Sequence, residues 1–122
     1  MWPIAQYAVP HFDVAERAKL YAAMMRGDVQ VNMIYDAQGF IGVVLTVMYI
    51  DPVLAGNNLM IYGLKIVRKL SIAQWRYGIA KLINEAISLG CNCVSTYTHL
   101  RSVRNLMKHF GAKELTYLQC KI

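Results

Sequence analysis

Apolar and polar positions along this chain follow two periods in turn, and each change of period marks a boundary between a helix and a strand. Val14, Leu20, Tyr21 and Met24 fall on one side of a 3.6-residue helix, which predicts an inward stripe there. Residues 29–35 and 40–50 are rich in β-branched and aromatic side chains, and Asp36-Ala37-Gln38-Gly39 between them suits a hairpin turn. Those two strands are predicted to pair antiparallel. Asp51-Pro52 closes the second, Gly56-Asn57-Asn58 punctuates the following loop, and 59–67 reads as a third strand. The helical period returns in Ile72, Trp75, Ile79, Leu82, Ile83 and Ala86. A short strand at 91–97 follows, where two-residue alternation puts Cys91 and Cys93 on the same side. Leu100, Val103, Leu106, Met107 and Phe110 then trace a last helix, and 114–122 a last strand.

Capping chemistry agrees with these boundaries. Asp13 and Glu16 have capping-box spacing before the first helix, as Ser71 and Gln74 have before the second, while Gly27, Gly90 and Gly111 stand where helices stop. The element order is α-β-β-β-α-β-α-β, without repeats, low-complexity segments or linkers. An α/β sheet of about five strands with helices packed on it is the economical architecture.

With 122 residues the chain is expected to form a single domain, 1–122. Its composition, 57% hydrophobic and 16% charged, is more apolar than a soluble monomer of this size needs, which points to a homo-oligomer or a protein assembly partner. No membrane span explains the excess, because the longest apolar run, 40–50, is far short of the roughly 20 residues a spanning helix requires. Met1-Trp2-Pro3-Ile4 lacks the basic and apolar regions of a secretory signal, so a cytoplasmic location is expected. Cys91, Cys93 and Cys120 are an odd number without zinc-knuckle spacing, and no metal site is visible; reduced, packed thiols are the simplest reading.

The net charge of +6 favours an anionic partner. Lys65, Arg68, Lys69 and Arg76 gather around the start of the second helix, where phosphate could be held or where the charges are simply solvated. Arg101, Arg104, Lys108 and His109 form the polar face of the last helix, a solvated face rather than a nucleic-acid surface.

Over 13–118 this order and these motifs resemble the GNAT superfamily of N-acetyltransferases, more particularly small acetyltransferase-like proteins of tailed bacteriophages. The Leu70-Ser71 pair and the Leu106-Met107-Lys108-His109-Phe110-Gly111-Ala112 ending carry the latter likeness. The resemblance implies a GNAT-like fold: a mixed central sheet of about five to six strands flanked by helices, with the opening strand absent or reduced to 6–9. It implies acetyl-CoA or CoA as ligand, with 64–67 as the splayed strand and 70–76 as the loop holding the pyrophosphate on helix N–H groups. The cofactor-binding residues it assigns are Ile66, Val67, Ser71, Ile72, Ala73, Gln74, Trp75 and Arg76.

Several chemical positions depart from the family pattern. Its Arg or Gln and two spaced glycines correspond to Leu70, Ala73 and Trp75, so backbone approach to phosphate is weakened and Trp75 could occlude the site. A shifted match through Arg76, Gly78 and Ala80 restores the composition but starts the helix about a turn later and strands the Ser71 cap. The motif Asn corresponds to Leu100, and the Tyr that protonates the departing thiolate corresponds to Met107, which has no proton to give. No carboxylate lies on 59–67. His99, near the expected acceptor site, is the candidate catalytic base. Two functions follow: an acyl-CoA-dependent N-acyltransferase acting on a small-molecule or protein amine, or a non-catalytic protein of the same fold, such as a virion or assembly component working through protein contacts in host cytoplasm or virion. A nucleic-acid binder driven by charge is the weakest class.

Overall fold

Asp13 begins the longest N-terminal helix as its spacing to Glu16 predicts: Asp13 Oδ1 accepts from the Glu16 N–H at 2.7 Å, and Glu16 Oε1 accepts from the Asp13 N–H at 3.2 Å. The computed structural model describes residues 2–51, 56–96, 101–114 and 120. Its helices are α1 (Trp2–Ala5), α2 (Val14–Arg26), α3 (Ile72–Ser88) and α4 (Arg101–His109), and its strands are β1 (Val29–Asp36), β2 (Gly39–Asp51), β3 (Gly56–Ile66) and β4 (Cys93–Thr96). The strands form one sheet in the order β1-β2-β3-β4, antiparallel except for the parallel pair β3 and β4.

Among the described residues the opening strand is absent, one of the two expected outcomes. Residues Gln6–Ala8 are a 3-10 turn continuing from α1, with Pro3 tolerated in the first turn of that helix. Instead of extending the sheet sideways, the segment covers its face, and Ala5, Ala8 and Val9 are among the most deeply buried residues. They join Leu20 of α2, Val29 of β1, and Val43 and Leu45 of β2 in one core, with Phe12, Ala23, Met24, Val31 and Val47 packed against it. Leu59, Ala86 and Cys91, flanked by Leu82 and Val94, form a second core where α3 meets the sheet.

Three local expectations change. Val14 and Ile72 are 84% and 62% exposed, because each is the first helical residue after its cap and the buried stripe starts later, at Leu20 and Ile79. Cys91 is buried and Cys93 exposed, since Cys91 precedes β4 in the turn after Gly90 and does not share the strand's alternation. The sheet has four described strands rather than five to six; of the predicted last strand, all but Glu114 and Cys120 lies outside the described residues.

The α3 boundary excludes the shifted motif match. Ser71 is the N-cap, with its Oγ accepting from the Gln74 N–H at 3.2 Å and Gln74 Oε1 accepting from the Ser71 N–H at 2.9 Å. At the other end, the Gly90 N–H donates to the Ile87 carbonyl and the Cys91 N–H to the Ala86 carbonyl, the doubled closure of a Schellman end with Gly90 at φ 80°.

One close approach ties the N-terminal segment to the sheet. A Cβ on Gly63 of β3 would lie 2.9 Å from the Ala8 carbonyl oxygen and 3.1 Å from Val9 Cγ1. A backbone oxygen cannot swing aside, so Gly63→Ala is expected to lower stability by about 1–3 kcal/mol. Gly78, in the middle of α3 with nothing within 4 Å of its would-be Cβ, gives the opposite sign, and Gly78→Ala is expected to raise stability by about 0.5–1 kcal/mol. Urea unfolding of the two variants beside wild type measures both.

Candidate functional site at the end of the third strand

The site begins with a defect in strand pairing. Leu45 pairs with Gly63 and Thr46 with Ile61, so Tyr62 is the extra residue of a β-bulge. A bulge bends its strand and sharpens its twist. On the other side, β3 pairs with β4 from Asn58–Cys93 to Ile61–Thr96, and Thr96 Oγ1 donates to the Ile61 carbonyl at 3.4 Å. The described pairing stops there, one residue before the bulge, while β3 runs on to Ile66. β3 therefore bends one residue past the last described β3–β4 pair.

Beyond β3, the chain turns into α3 under two restraints. The Val67 N–H donates to the Ile41 carbonyl at 2.8 Å. Arg68 reaches across to the β1–β2 turn, where Nη2 donates to Asp36 Oδ1 at 2.6 Å and Nη1 to Gln38 Oε1 at 2.8 Å. The turn is itself closed by the Gln38 N–H donating to Asp36 Oδ1 at 2.7 Å. An open cleft of about 400 Å³ lies between loop and turn, lined by Asp36, Ala37, Gln38, Arg68, Lys69, Leu70 and Gln74.

The predicted cofactor residues are thereby set in sequence around the α3 N-terminus. Ile66 ends β3, and Val67 is 53% exposed. Ser71, Ile72, Ala73, Gln74 and Arg76 are exposed, whereas Trp75 is half-buried. Within the cap, the Gln74 N–H goes to Ser71 Oγ and the Trp75 N–H to the Ser71 carbonyl. Among the described residues this leaves the Ile72 and Ala73 N–H groups unpaired at the positive end of the helix dipole. Of the four basic residues in the predicted cluster, Arg68 is held by the turn, while Lys65, Lys69 and Arg76 are exposed.

The remaining predicted positions divide cleanly. Met107 is buried, 8% exposed, and its carbonyl accepts from the Ala112 N–H at 3.1 Å, so its thioether is part of the packing under α4. His99 lies outside the described residues. Arg104 and Lys108 on the polar face of α4 pair with Glu114 at 3.2 and 2.9 Å, which accounts for two of the charges on that face without a polyanion. Among the described residues no cluster of three or more His, Cys, Asp or Glu is arranged to hold a metal ion, and no helix is long and apolar enough to cross a membrane.

One side-chain grouping at the bulge escaped the sequence reading. Tyr62, at the bulge, packs edge-on against Phe12 with ring centroids 6.0 Å apart. Burial, and after it the negative charge of Glu16 on α2, raises its phenol above the ordinary tyrosine range. Gly63 directly after Tyr62 was the available signal, since a glycine inside a strand often marks a bulge or a close backbone approach.

Solved structures identify what this arrangement is similar to. A protein described as a probable acetyltransferase superposes with a TM-score of 0.73 at 8% identity, over 99% of this chain and 89% of the other. A GNAT family acetyltransferase from Staphylococcus aureus gives a TM-score of 0.62 at 14% identity, over 87% and 73% of the two chains. A predicted acetyltransferase from Clostridium acetobutylicum, solved with acetyl-CoA, gives 0.64 at 13% identity, over 88% and 73%. No protein-family model and no curated protein matches the chain. At these identities the likeness is one of fold, and the chain has the GNAT acetyltransferase fold, an α/β mixed sheet flanked by helices.

The Arg68–Asp36 link has a pH consequence. The hydrogen bond from Arg68 is the largest influence on Asp36 and holds its carboxyl below the usual range, outweighing partial burial; Lys108 and then Arg104 do the same for Glu114. A carboxylate depressed in the folded state contributes stability that is complete above its unfolded pKa, near 4, and is lost as pH falls through the folded value. Thermal melts of wild type are therefore expected to lose part of their stability below about pH 4 through these two groups. Asp36→Asn is expected to remove the Asp36 share of that slope, and Glu114→Gln the other share.

Proposed function

We propose that this chain binds acetyl-CoA and transfers its acyl group to an amine, with the pyrophosphate held at the N-terminus of α3. The observation that supports this most directly is a strand bulged at Tyr62 that leads into a capped helix with two unpaired N–H groups. A thioester arm would lie along β3 past its bulge, and a pyrophosphate fits a helix N-terminus with exposed cations nearby. Ile66 and Val67 would flank the arm. Ser71 would keep the helix start open, Gln74 would hold the cap, and Ile72 and Ala73 would offer their N–H groups to phosphate. Arg76 and Lys69 would supply charge.

Transfer itself is direct attack of the amine on the thioester carbonyl, forming a C–N bond and releasing the thiolate. Met107 cannot protonate that thiolate, and on the sequence pattern His99 is the proposed base.

A second reading is favoured by a different observation. Ile72, Tyr77, Ile87 and Leu89 on or beside α3 are exposed to between 44% and 71%, and Trp75 stands where the family has glycine. A non-catalytic GNAT-fold protein, with the phosphate site closed by Trp75 and the α3 surface used in an oligomer or a bacteriophage assembly, would carry those features. Fold alone does not choose between the two.

Calorimetric titration of acetyl-CoA and CoA at moderate salt separates them. Wild type is expected to bind with micromolar affinity, and Ala73→Pro, which removes one N–H at a helix position that tolerates proline, is expected to weaken binding about tenfold. Absence of wild-type binding, with binding restored in Trp75→Gly, would replace the enzyme reading with the assembly one.

A further inference from the structure

We propose that the free edge of β1 pairs with the same edge of a second copy of this chain, antiparallel about a two-fold axis through Val31. The inference is independent of both functional readings above and of the ligand site they share.

β1 stands at the end of the strand order and, among the described residues, pairs with β2 alone. Alternate N–H and C=O groups along its eight residues therefore point away from the sheet without a backbone partner. Edges of this length are ordinarily guarded by a charge, a proline or a bulge, or else the edge strand is kept short. Residues 29–35 hold no charge and no proline, and the irregularity in the β1–β2 pairing comes only at Ile34/Tyr35. By contrast β4, at the other end of the described sheet, is four residues long.

The charges that flank this edge are neutralised within the chain. Arg26 Nε donates to Asp28 Oδ2 at 2.9 Å just before the strand, and Arg68 Nη2 donates to Asp36 Oδ1 at 2.6 Å at its close. Between those two pairs, nothing on the strand repels a copy of itself.

The side-chain pattern then selects a register. Val29, Val31 and Met33 share one face of β1, with Val29 and Val31 in the core beneath α2, while Gln30 and Asn32 share the other. Centring the pairing on Val31 sets Val29 opposite Met33 of the second copy, Gln30 opposite its Asn32, and Val31 opposite its own equivalent. Apolar side chains meet apolar ones, as favourable cross-strand pairs require. Neither the Gln30 nor the Asn32 side-chain amide has a hydrogen-bond partner among the described residues, and in this register each gains the other as donor and acceptor. Centring on Asn32 would instead put Asp28 opposite Asp36 and Gln30 opposite Ile34, and centring on Met33 would put Asn32 opposite Ile34. Centring on Gln30 keeps only 29–31 within the strand. The Val31 register matches 29–33 throughout and ends before the irregularity, joining the four strands of each copy into one continuous sheet.

Sedimentation equilibrium of the full chain across a micromolar concentration series tests the pairing. Wild type is expected to reach twice its chain mass of 13.8 kDa. Gln30→Glu/Asn32→Glu places like charges opposite each other in both symmetric pairs and is expected to weaken the dimer about tenfold or more, whereas Gln30→Lys/Asn32→Glu places opposite charges there and is expected to stay within about threefold of wild type. A wild type that remains monomeric overturns the proposal. So does a dimer indifferent to the two glutamates, whose interface then lies elsewhere, and so does equal weakening by the two variants. Hydrogen exchange of wild type on dilution needs no variant and decides the matter if either fails to fold: alternate amides in 29–33 are expected to lose protection as the mass falls to one chain, while those of β3 keep theirs. Protection in 29–33 that persists in the monomer means that the edge is covered from within the chain, and overturns the pairing.

Discussion

The contact between Gly63 and the Ala8 carbonyl is the constraint from which the rest of the structure follows. A backbone can approach a strand face that closely only where no Cβ intervenes, and β3 supplies that place one residue after its bulge. Because the N-terminal segment settles there, Ala5, Ala8 and Val9 fill the face that an opening strand would otherwise leave to a longer helical layer. The bulge at Tyr62 bends β3 just before that contact. Past the strand, the loop into α3 and the hairpin turn leave an open cleft between them.

Electrostatics around that opening are more selective than the net charge of +6 suggests. Arg68, the first basic residue past the end of β3, is bound at both guanidinium branches by the hairpin turn, and thus acts as a strut between turn and loop. Arg104 and Lys108 are likewise paired with Glu114. Lys69 and Arg76 remain to act on an anion at the helix start. A count of cations along the chain overstates the positive field at the site, because the acidic residues are few but well placed.

What was legible in the sequence is what short range decides. The Asp13–Glu16 and Ser71–Gln74 boxes, the Asp36–Gly39 turn and the Gly90 stop form within a few residues of themselves, and each was read correctly from residue type and spacing. The strand-loop-helix frame that carries the family likeness was readable for the same reason. The 6–9 segment was expected to hold a reduced strand or none, and the turn it forms answers a tertiary demand for face cover that no local signal shows. Val14 and Ile72 were misjudged because periodicity fixes a side of a helix without saying where along its length the sheet begins. The contact of Tyr62 with Phe12 was invisible, since the two meet only through the fold.

The ends of α2 and α3 carry a consequence that concerns handedness. Gly27 and Gly90 hold φ near +80°, with nothing within 4 Å of a would-be Cβ, so space would admit a side chain at either place. What excludes one is chirality: an L-residue in that conformation brings its Cβ against its own backbone. A residue of the opposite hand would meet neither objection. At these two junctions, the route from helix into the next segment is set by the mirror symmetry of glycine and by no neighbour.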